Sequence, residues 1–530
     1  MAGWPHHPGV FRQEAHYGDR VVAARIDRPH SLTGMLRAAV ARNPSGEALV
    51  CGSFRASWTE LEEMVEACAR GLVHRGLGDG DRAILFLGNR PEYVILLHAI
   101  VRIGAVAVPV GIREQAPGLA YMAGQSGASL ILHEPALSDR LPEALTAIAV
   151  PEGDPRGFIA AFDAAGQALP QAEPEEQGAA LIMYTSGTTG RPKGAIATHL
   201  GIAHVAMGYV DCMALGSADR SACVVPLSHI TGISLLATMA AAAGTLIVVP
   251  QFDARTFAAH AAAERMTHTL MVPAMYNLLL ARTDLASFDL SHWRVGAFGG
   301  APMPLATIEH LHRLLPDLGL MNCYGSTETG GGVVVMPADR AAMHSDAVGW
   351  PVPGATILVM DEHGHQLPPG EVGELWIGAA AVTPGYWNDP EATRAGIVGG
   401  YWRSGDVGSV DGAGCVRVLD RMKDMINRGG YKIYGAEVED VLSQHPAVLE
   451  AAVVGRPCPI LGERVHAFVS LRDGAAITAE ALKAHCATRL ADYKQPEDYA
   501  VSRDPLPRNL NGKILKNELR KLAEKGAAAL

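Results

Sequence analysis

From about residue 80 to 330 the chain alternates short apolar runs with longer stretches whose apolar positions recur at helical spacing. The runs 83–87, 105–110, 130–133, 222–225, 245–249, 269–272, 295–298 and 320–324 read as strands, and segments such as 91–103 and 303–315 as helices between them. Such alternation predicts parallel sheets covered by helices, an α/β fold. Between 350 and 420 the pattern shortens: 356–360, 374–377 and 416–419 read as strands punctuated by Gly and Pro, a small antiparallel β region. Beyond Arg421 come a helix at about 436–444, strands 449–454 and 465–471, a helix near 478–490 and a last one from Lys513. We place the domain boundary at 420–423. A large N-terminal domain, 1–420, then precedes a small α+β C-terminal domain, 421–530. No internal repeat is seen.

Two apolar stretches invite a membrane reading, and each is interrupted. His98 and Arg102 break 93–110, and Gly244-Thr245 splits 233–249 into a helix and a strand. Both read as buried core, with no membrane span. The first twenty residues lack the apolar segment of a signal peptide. With 530 residues, 48% of them hydrophobic, the chain exceeds what one core organises. A net charge of −11 without any strongly basic segment argues against nucleic acid and against an anionic membrane surface. Eight widely spaced cysteines with no Cys-x-x-Cys pair read as reduced thiols of a cytoplasmic protein, not as a disulfide frame or zinc site.

The sharpest chemical signal follows the strand-like run 179–183: Tyr184-Thr185-Ser186-Gly187-Thr188-Thr189-Gly190-Arg191-Pro192-Lys193-Gly194. Small hydroxyl and glycine residues leave backbone N–H groups and side-chain oxygens free to converge on an anion, and Lys193 adds a positive charge. It is not the common P-loop, which requires Gly where Pro192 stands and Ser or Thr where Gly194 stands. Local geometry of this kind is what an anionic nucleotide needs on a chain of negative net charge.

The segment resembles the phosphate-binding loop of the adenylate-forming superfamily, which comprises acyl- and aryl-CoA synthetases, peptide-synthetase adenylation domains and luciferases. The likeness recurs in order over roughly residues 30 to 525. Gly299-Gly300-Ala301-Pro302 resembles the adenine-contacting turn, Tyr324-Gly325-Ser326-Thr327-Glu328 the Y-G-x-T-E element, and Gly405-Asp406 the ribose-binding pair. Arg421 and Lys423, followed by Gly429-Gly430, resemble the hinge, and Asn511-Gly512-Lys513 the terminal lysine loop.

The resemblance implies an AMP-forming acid–CoA ligase using ATP, Mg²⁺ and coenzyme A. It implies that Thr185, Ser186, Gly187, Thr188, Thr189, Lys193, Tyr324, Gly325, Asp406 and Arg421 bind ATP, with Gly300, Ala301 and Pro302 at the adenine. It implies Glu328 as metal ligand, Thr327 as a donor to phosphate, and Lys513 as the lysine bridging carboxylate and α-phosphate. A mobile C-terminal domain would turn at Lys423 and bring Gly429 and Gly430 to a coenzyme A tunnel. Asn427 stands where some relatives carry a lysine and receives no phosphate role.

Pro226-Leu227-Ser228-His229 resembles the element at the mouth of the acyl pocket, with His229 as gate. Ile230, Gly232, Ile233, Gly299, Gly330, Gly331 and Val333 would wall the pocket. Three successive glycines, 330–332, suggest space for a bulky acyl or aryl group. Seventeen residues follow Lys513, too few for a fused carrier domain, which favours free coenzyme A. A ligase loading a separate carrier protein and a non-catalytic nucleotide-binding protein stay open as alternatives. The partner is a small carboxylic acid whose identity the sequence leaves open, as it does the oligomeric state, with a homodimer among the options.

Overall fold

A computed structural model of the chain describes residues 9–171, 173–185, 191–341, 343–344, 346–472, 474–508 and 514–525. Ser186, Gly187, Thr188, Thr189 and Lys513 lie outside the described residues.

Among the described residues the strands form five sheets. The largest runs Trp350–Pro351, Gly331–Val335, Gly319–Ser326, Val295–Gly299, His268–Met271, Arg220–Cys223, Thr245–Val248, Glu47–Cys51, Phe54–Ser57. Its centre is parallel, and antiparallel strands close both edges. A six-stranded sheet is ordered Lys193–Thr198, Ala179–Thr185, Val106–Pro109, Arg82–Phe86, Leu130–His133, Thr146–Ala149. Helices cover both. Pro91–Arg102 is buried on every side, which is why its sequence is apolar all round rather than striped. The expected split of 233–249 is present, as helix Ile230–Ala242 and strand Thr245–Val248. His98 and Arg102 are buried in the helix that precedes strand Val106–Pro109. Among the described residues no helix is long and apolar enough to cross a membrane.

Thr356–Met360, Gly373–Gly378, Tyr401–Val410, Ile397–Val398 and Val416–Arg421 make the antiparallel β region. The last sheet begins at Ile426–Arg428 and is built on the long hairpin Val448–Cys458 and Gly462–Leu471. Its hydrophobic cluster, including Ile426, Ile433, Val453, Val465 and Leu482, is separate from the main core.

Three differences from the sequence reading matter. A ribbon of Phe11–His16 and Arg20–Arg25 was not expected, because its polar alternation carries little apolar signal. Residues 331–335 form a strand that returns antiparallel after the turn Thr327–Thr329, with Gly330 in the left-handed region at φ 69°. The terminal helix starts at Lys516, not at Lys513.

Candidate active site

The carboxyl ends of two neighbouring parallel strands carry Gly299 and Tyr324, where crevices form in open α/β sheets. Gly299 ends its strand opposite Cys323, so Gly300, Ala301 and Pro302 leave the sheet beside Tyr324. Gly300 takes φ 78°, a backbone state that glycine adopts without strain. Gly325 is required by contact: a Cβ there would meet the Gly331 carbonyl at 1.9 Å.

Tyr324, Asp406 and Arg421 form one unit. The Tyr324 hydroxyl donates to Asp406 Oδ2 at 2.6 Å, and Arg421 Nε meets Oδ1 at 2.6 Å. Asp406 and Arg421 face each other across neighbouring strands, which sets that pair by register. Asp406 is only 4% exposed. Burial, and then the Asp406 charge, push the Tyr324 hydroxyl well above its ordinary pKa, so it stays a donor. Glu374 shapes the approach by accepting from Gly405 N–H at 3.2 Å and pairing with Arg403 at 2.9 Å. Ser404 Oγ accepts the Asp406 N–H at 3.0 Å. Neither Glu374 nor Ser404 was singled out by sequence.

The second cluster centres on Glu328, 7% exposed. Ser326 Oγ donates to one carboxylate oxygen at 2.5 Å and Tyr386 Oη to the other at 3.0 Å. Lys193 Nζ lies 5.4 Å from the centre of the Tyr386 ring, within cation–π range. Lys193 also pairs with Thr185 across the hairpin that frames the Gly/Thr loop, and its strand packs against the Thr327–Thr329 turn. Lys193 and Glu328 thus meet on one tyrosine, which no local pattern announces. Glu328, flanked by the Ser326 and Thr327 hydroxyls, is an all-oxygen donor set suited to a hard cation such as Mg²⁺.

His229 caps the helix Ile230–Ala242, its Nδ1 accepting from Thr231 N–H at 3.4 Å. Burial lowers its pKa, and the positive end of the helix dipole favours the same neutral form. Ile230, Ile233 and Val333 are buried in the main core.

The space inferred from the three glycines is already taken. A Cβ on Gly331 would lie 2.7 Å from Ser234 Oγ, one on Gly332 2.7 Å from Tyr209 Oη, and one on Gly232 2.4 Å from the Pro226 carbonyl. Gly299 is likewise closed by the Cys323 carbonyl at 2.4 Å. These glycines allow close passage of backbone and helix, so no bulky acyl group follows from them.

In the last sheet Gly429 N–H donates to the Leu461 carbonyl at 2.7 Å and Gly430 N–H to Asn427 Oδ1 at 3.1 Å. Their φ values of 61° and 90° explain why both are glycine. Lys423 is exposed between the two sheets.

The AMP-binding enzyme family matches residues 36–387, and the AMP-binding enzyme C-terminal domain matches 437–513. The chain belongs to the AMP-binding, adenylate-forming enzymes. Among its relatives in this family is feruloyl-CoA synthase of Amycolatopsis sp, 36% identical over 486 residues, covering 90% of this chain and 96% of that protein. A long-chain-fatty-acid–CoA ligase of Mycobacterium tuberculosis is 32% identical over 495 residues, covering 92% and 97%. The o-succinylbenzoate coenzyme A synthetase of Bacillus subtilis, solved with ATP and magnesium ion, superposes with a TM-score of 0.83 at 28% identity, covering 92% of this chain and 98% of that one. This adenylate-forming enzyme is an AMP-forming acid–CoA ligase, with ATP, Mg²⁺ and coenzyme A as the cofactors of its reaction.

Proposed function

We propose that the ligase runs two half-reactions in one cleft, with Lys513 serving the first and Gly429–Gly430 the second. In the first, a carboxylate oxygen of the acid attacks the α-phosphorus of ATP, the bond to pyrophosphate breaks, and an acyl-adenylate forms. In the second, the thiol of coenzyme A loses its proton and attacks the acyl carbonyl, and AMP departs with the bonding pair.

The observation that carries this reading is the Tyr324–Asp406–Arg421 unit beside the Gly300 turn. An ionised carboxylate with two acceptor oxygens is suited to the two ribose hydroxyls, and a tyrosine ring face at that turn is suited to the adenine. Glu328 would hold Mg²⁺, which would supply neutralising charge on phosphate oxygens, and the Thr327 hydroxyl would donate to a phosphate oxygen. Lys193 and the Thr185 hydroxyl hold the phosphates, and neutral His229 lets the acid's carboxylate pass without trapping it as an ion pair. Residues 1–420 and 421–530 are the two units that turn about Lys423. Feruloyl-CoA synthase guides the choice of acid, so aryl-substituted carboxylic acids head the panel to be tried. A cytoplasmic setting suits a reaction that consumes ATP and coenzyme A.

The test separates the two steps. Lys513→Ala should lower acid-dependent pyrophosphate exchange by about 10²–10³-fold, as loss of one preorganised donor does. It should largely spare thioester formation from supplied acyl-adenylate, and equal loss in both would overturn the assignment. Lys423→Pro should do the reverse.

A further inference from the structure

Lys516 and Arg520 stand four residues apart on the helix Lys516–Glu524, and therefore on one face. The strap 420–424 faces them with two carboxylates of its own. Arg520 Nη2 meets Asp424 Oδ1 at 2.5 Å and donates to the Lys423 carbonyl at 3.2 Å, while its Nη1 donates to Asn517 Oδ1 at 2.8 Å. Both members of the Arg520–Asp424 pair are largely withdrawn from solvent, with side chains 23% and 12% exposed. Lys516 Nζ meets Glu439 Oε1 at 2.7 Å. Burial works against the Lys516 charge, but Glu439, Asp420 and Asp424 outweigh it and hold its pKa above the ordinary value.

The strap is folded tightly where it meets the helix. Asp424 and Met425 N–H groups both donate to the Arg421 carbonyl, at 2.9 and 3.0 Å. Asp420 Oδ2 accepts the Gly435 N–H at 2.6 Å. Because a peptide bond is planar, the Lys423 carbonyl and the Asp424 N–H belong to one rigid unit. A guanidinium that grips both that carbonyl and the Asp424 side chain fixes the plane to the helix. Rotation is then left to the backbone dihedrals of Lys423 and the residues before it.

We propose that Arg520, assisted by Lys516, is a positioning residue that locks the peptide plane after Lys423 to the helix Lys516–Glu524, so that the pivot and that helix turn as one body. This rests on the reading of Lys513 as the adenylation lysine and Lys423 as the pivot. Without the clasp, the helix loses its fixed relation to the pivot, and a misplacement of about 1 Å at a reacting centre costs up to about 10²-fold.

The experiment compares Arg520→Ala, Arg520→Lys and the exchange Arg520→Asp/Asp424→Arg with the full-length enzyme. Amide hydrogen exchange is read over 421–426, and pyrophosphate exchange is measured in parallel. Arg520→Ala should accelerate exchange of the Asp424 and Met425 amides about tenfold, leaving the Val448–Cys458 hairpin strand as in the parent. It should also lower pyrophosphate exchange about tenfold with KM for acid and ATP within about twofold, a change of ~1.4 kcal/mol in the barrier. Arg520→Lys should fall between, and the exchanged pair, which restores the ion pair but not the donor to the Lys423 carbonyl, should recover both readouts in part. Unchanged Asp424 and Met425 amides in Arg520→Ala, or no recovery in the exchanged pair, would overturn the proposal. If Lys513→Ala keeps full pyrophosphate exchange, the adenylation reading falls instead, and the amide measurement still decides the clasp.

Discussion

The Tyr324 hydroxyl donates a 2.6 Å hydrogen bond to Asp406 Oδ2. The two residues lie 82 positions apart in sequence and come from different sheets. The bond ties the Asp406 carboxylate to a ring whose strand neighbour, Cys323, pairs with Gly299 just before the Gly300 turn. Removing only the hydroxyl keeps the ring but takes away the Tyr324 donor that orients the carboxylate. Tyr324→Phe should therefore raise KM for ATP about five- to tenfold, within the worth of a hydrogen bond to a charged group, with KM for the acid unchanged. Initial-rate kinetics over ATP concentration checks this, and a shift in the acid KM of equal size would count against it.

Tyr386 makes a parallel case at Glu328. Its hydroxyl caps Oε1 at 3.0 Å while its ring faces Lys193. Burial first, and then the Glu328 charge, raise the Tyr386 pKa, so the group donates throughout the working range. Partners that orient a metal-binding carboxylate typically matter by about 10–100-fold in metal affinity. Tyr386→Phe should raise the Mg²⁺ concentration for half-maximal pyrophosphate exchange by about tenfold. A direct titration of Mn²⁺ onto the ATP complex should show the same weakening.

Much of this architecture was legible because its signals are local. The strand at 130–133 and that at 356–360 keep their expected bounds, since each is an apolar run bounded by turn residues. The Gly/Thr loop announces itself by composition alone. Tyr386 and Glu374 carried no such mark, because their roles arise from partners 58 and 31 positions away. The glycines at 330–332 misled in an instructive way. A missing side chain looks the same in sequence whether it leaves a hole or admits a neighbour, and here Ser234, Val205 and Tyr209 fill the place.

That distinction can be measured by a pair of alanine substitutions. At Gly331 the backbone has φ 140° and a Cβ would lie 2.7 Å from Ser234 Oγ and 3.0 Å from Val205. Gly331→Ala should destabilise the protein by about 1–3 kcal/mol through crowding and strain. Gly124 sits inside the helix Ala116–Ser126 with nothing within 4 Å of a built Cβ. Gly124→Ala should stabilise by roughly 0.5–1 kcal/mol, because glycine loses more conformational freedom in a helix than alanine does. Urea unfolding midpoints, read against the parent, give both signs.

Stability should also fall on mild acidification, for a reason visible in the core. His98, His199, His204 and His268 are each held at a pKa of about 4, with burial the leading cause in every case. In the unfolded chain each returns to about 6.5. Between about pH 6.5 and pH 4 the unfolded state therefore binds more protons than the native one, and unfolding free energy drops as pH drops. The contribution is fully present above the unfolded pKa and is lost on the way down through that window. His98 offers the cleanest test: it is completely buried in the helix Pro91–Arg102, and its Nδ1 finds no hydrogen-bond partner among the described residues. His98→Leu should flatten the stability profile between pH 6 and pH 5 by close to one proton. Urea midpoints at pH 7, 6 and 5 measure that slope, and a profile as steep as the parent's would show that His98 does not resist protonation in the folded state.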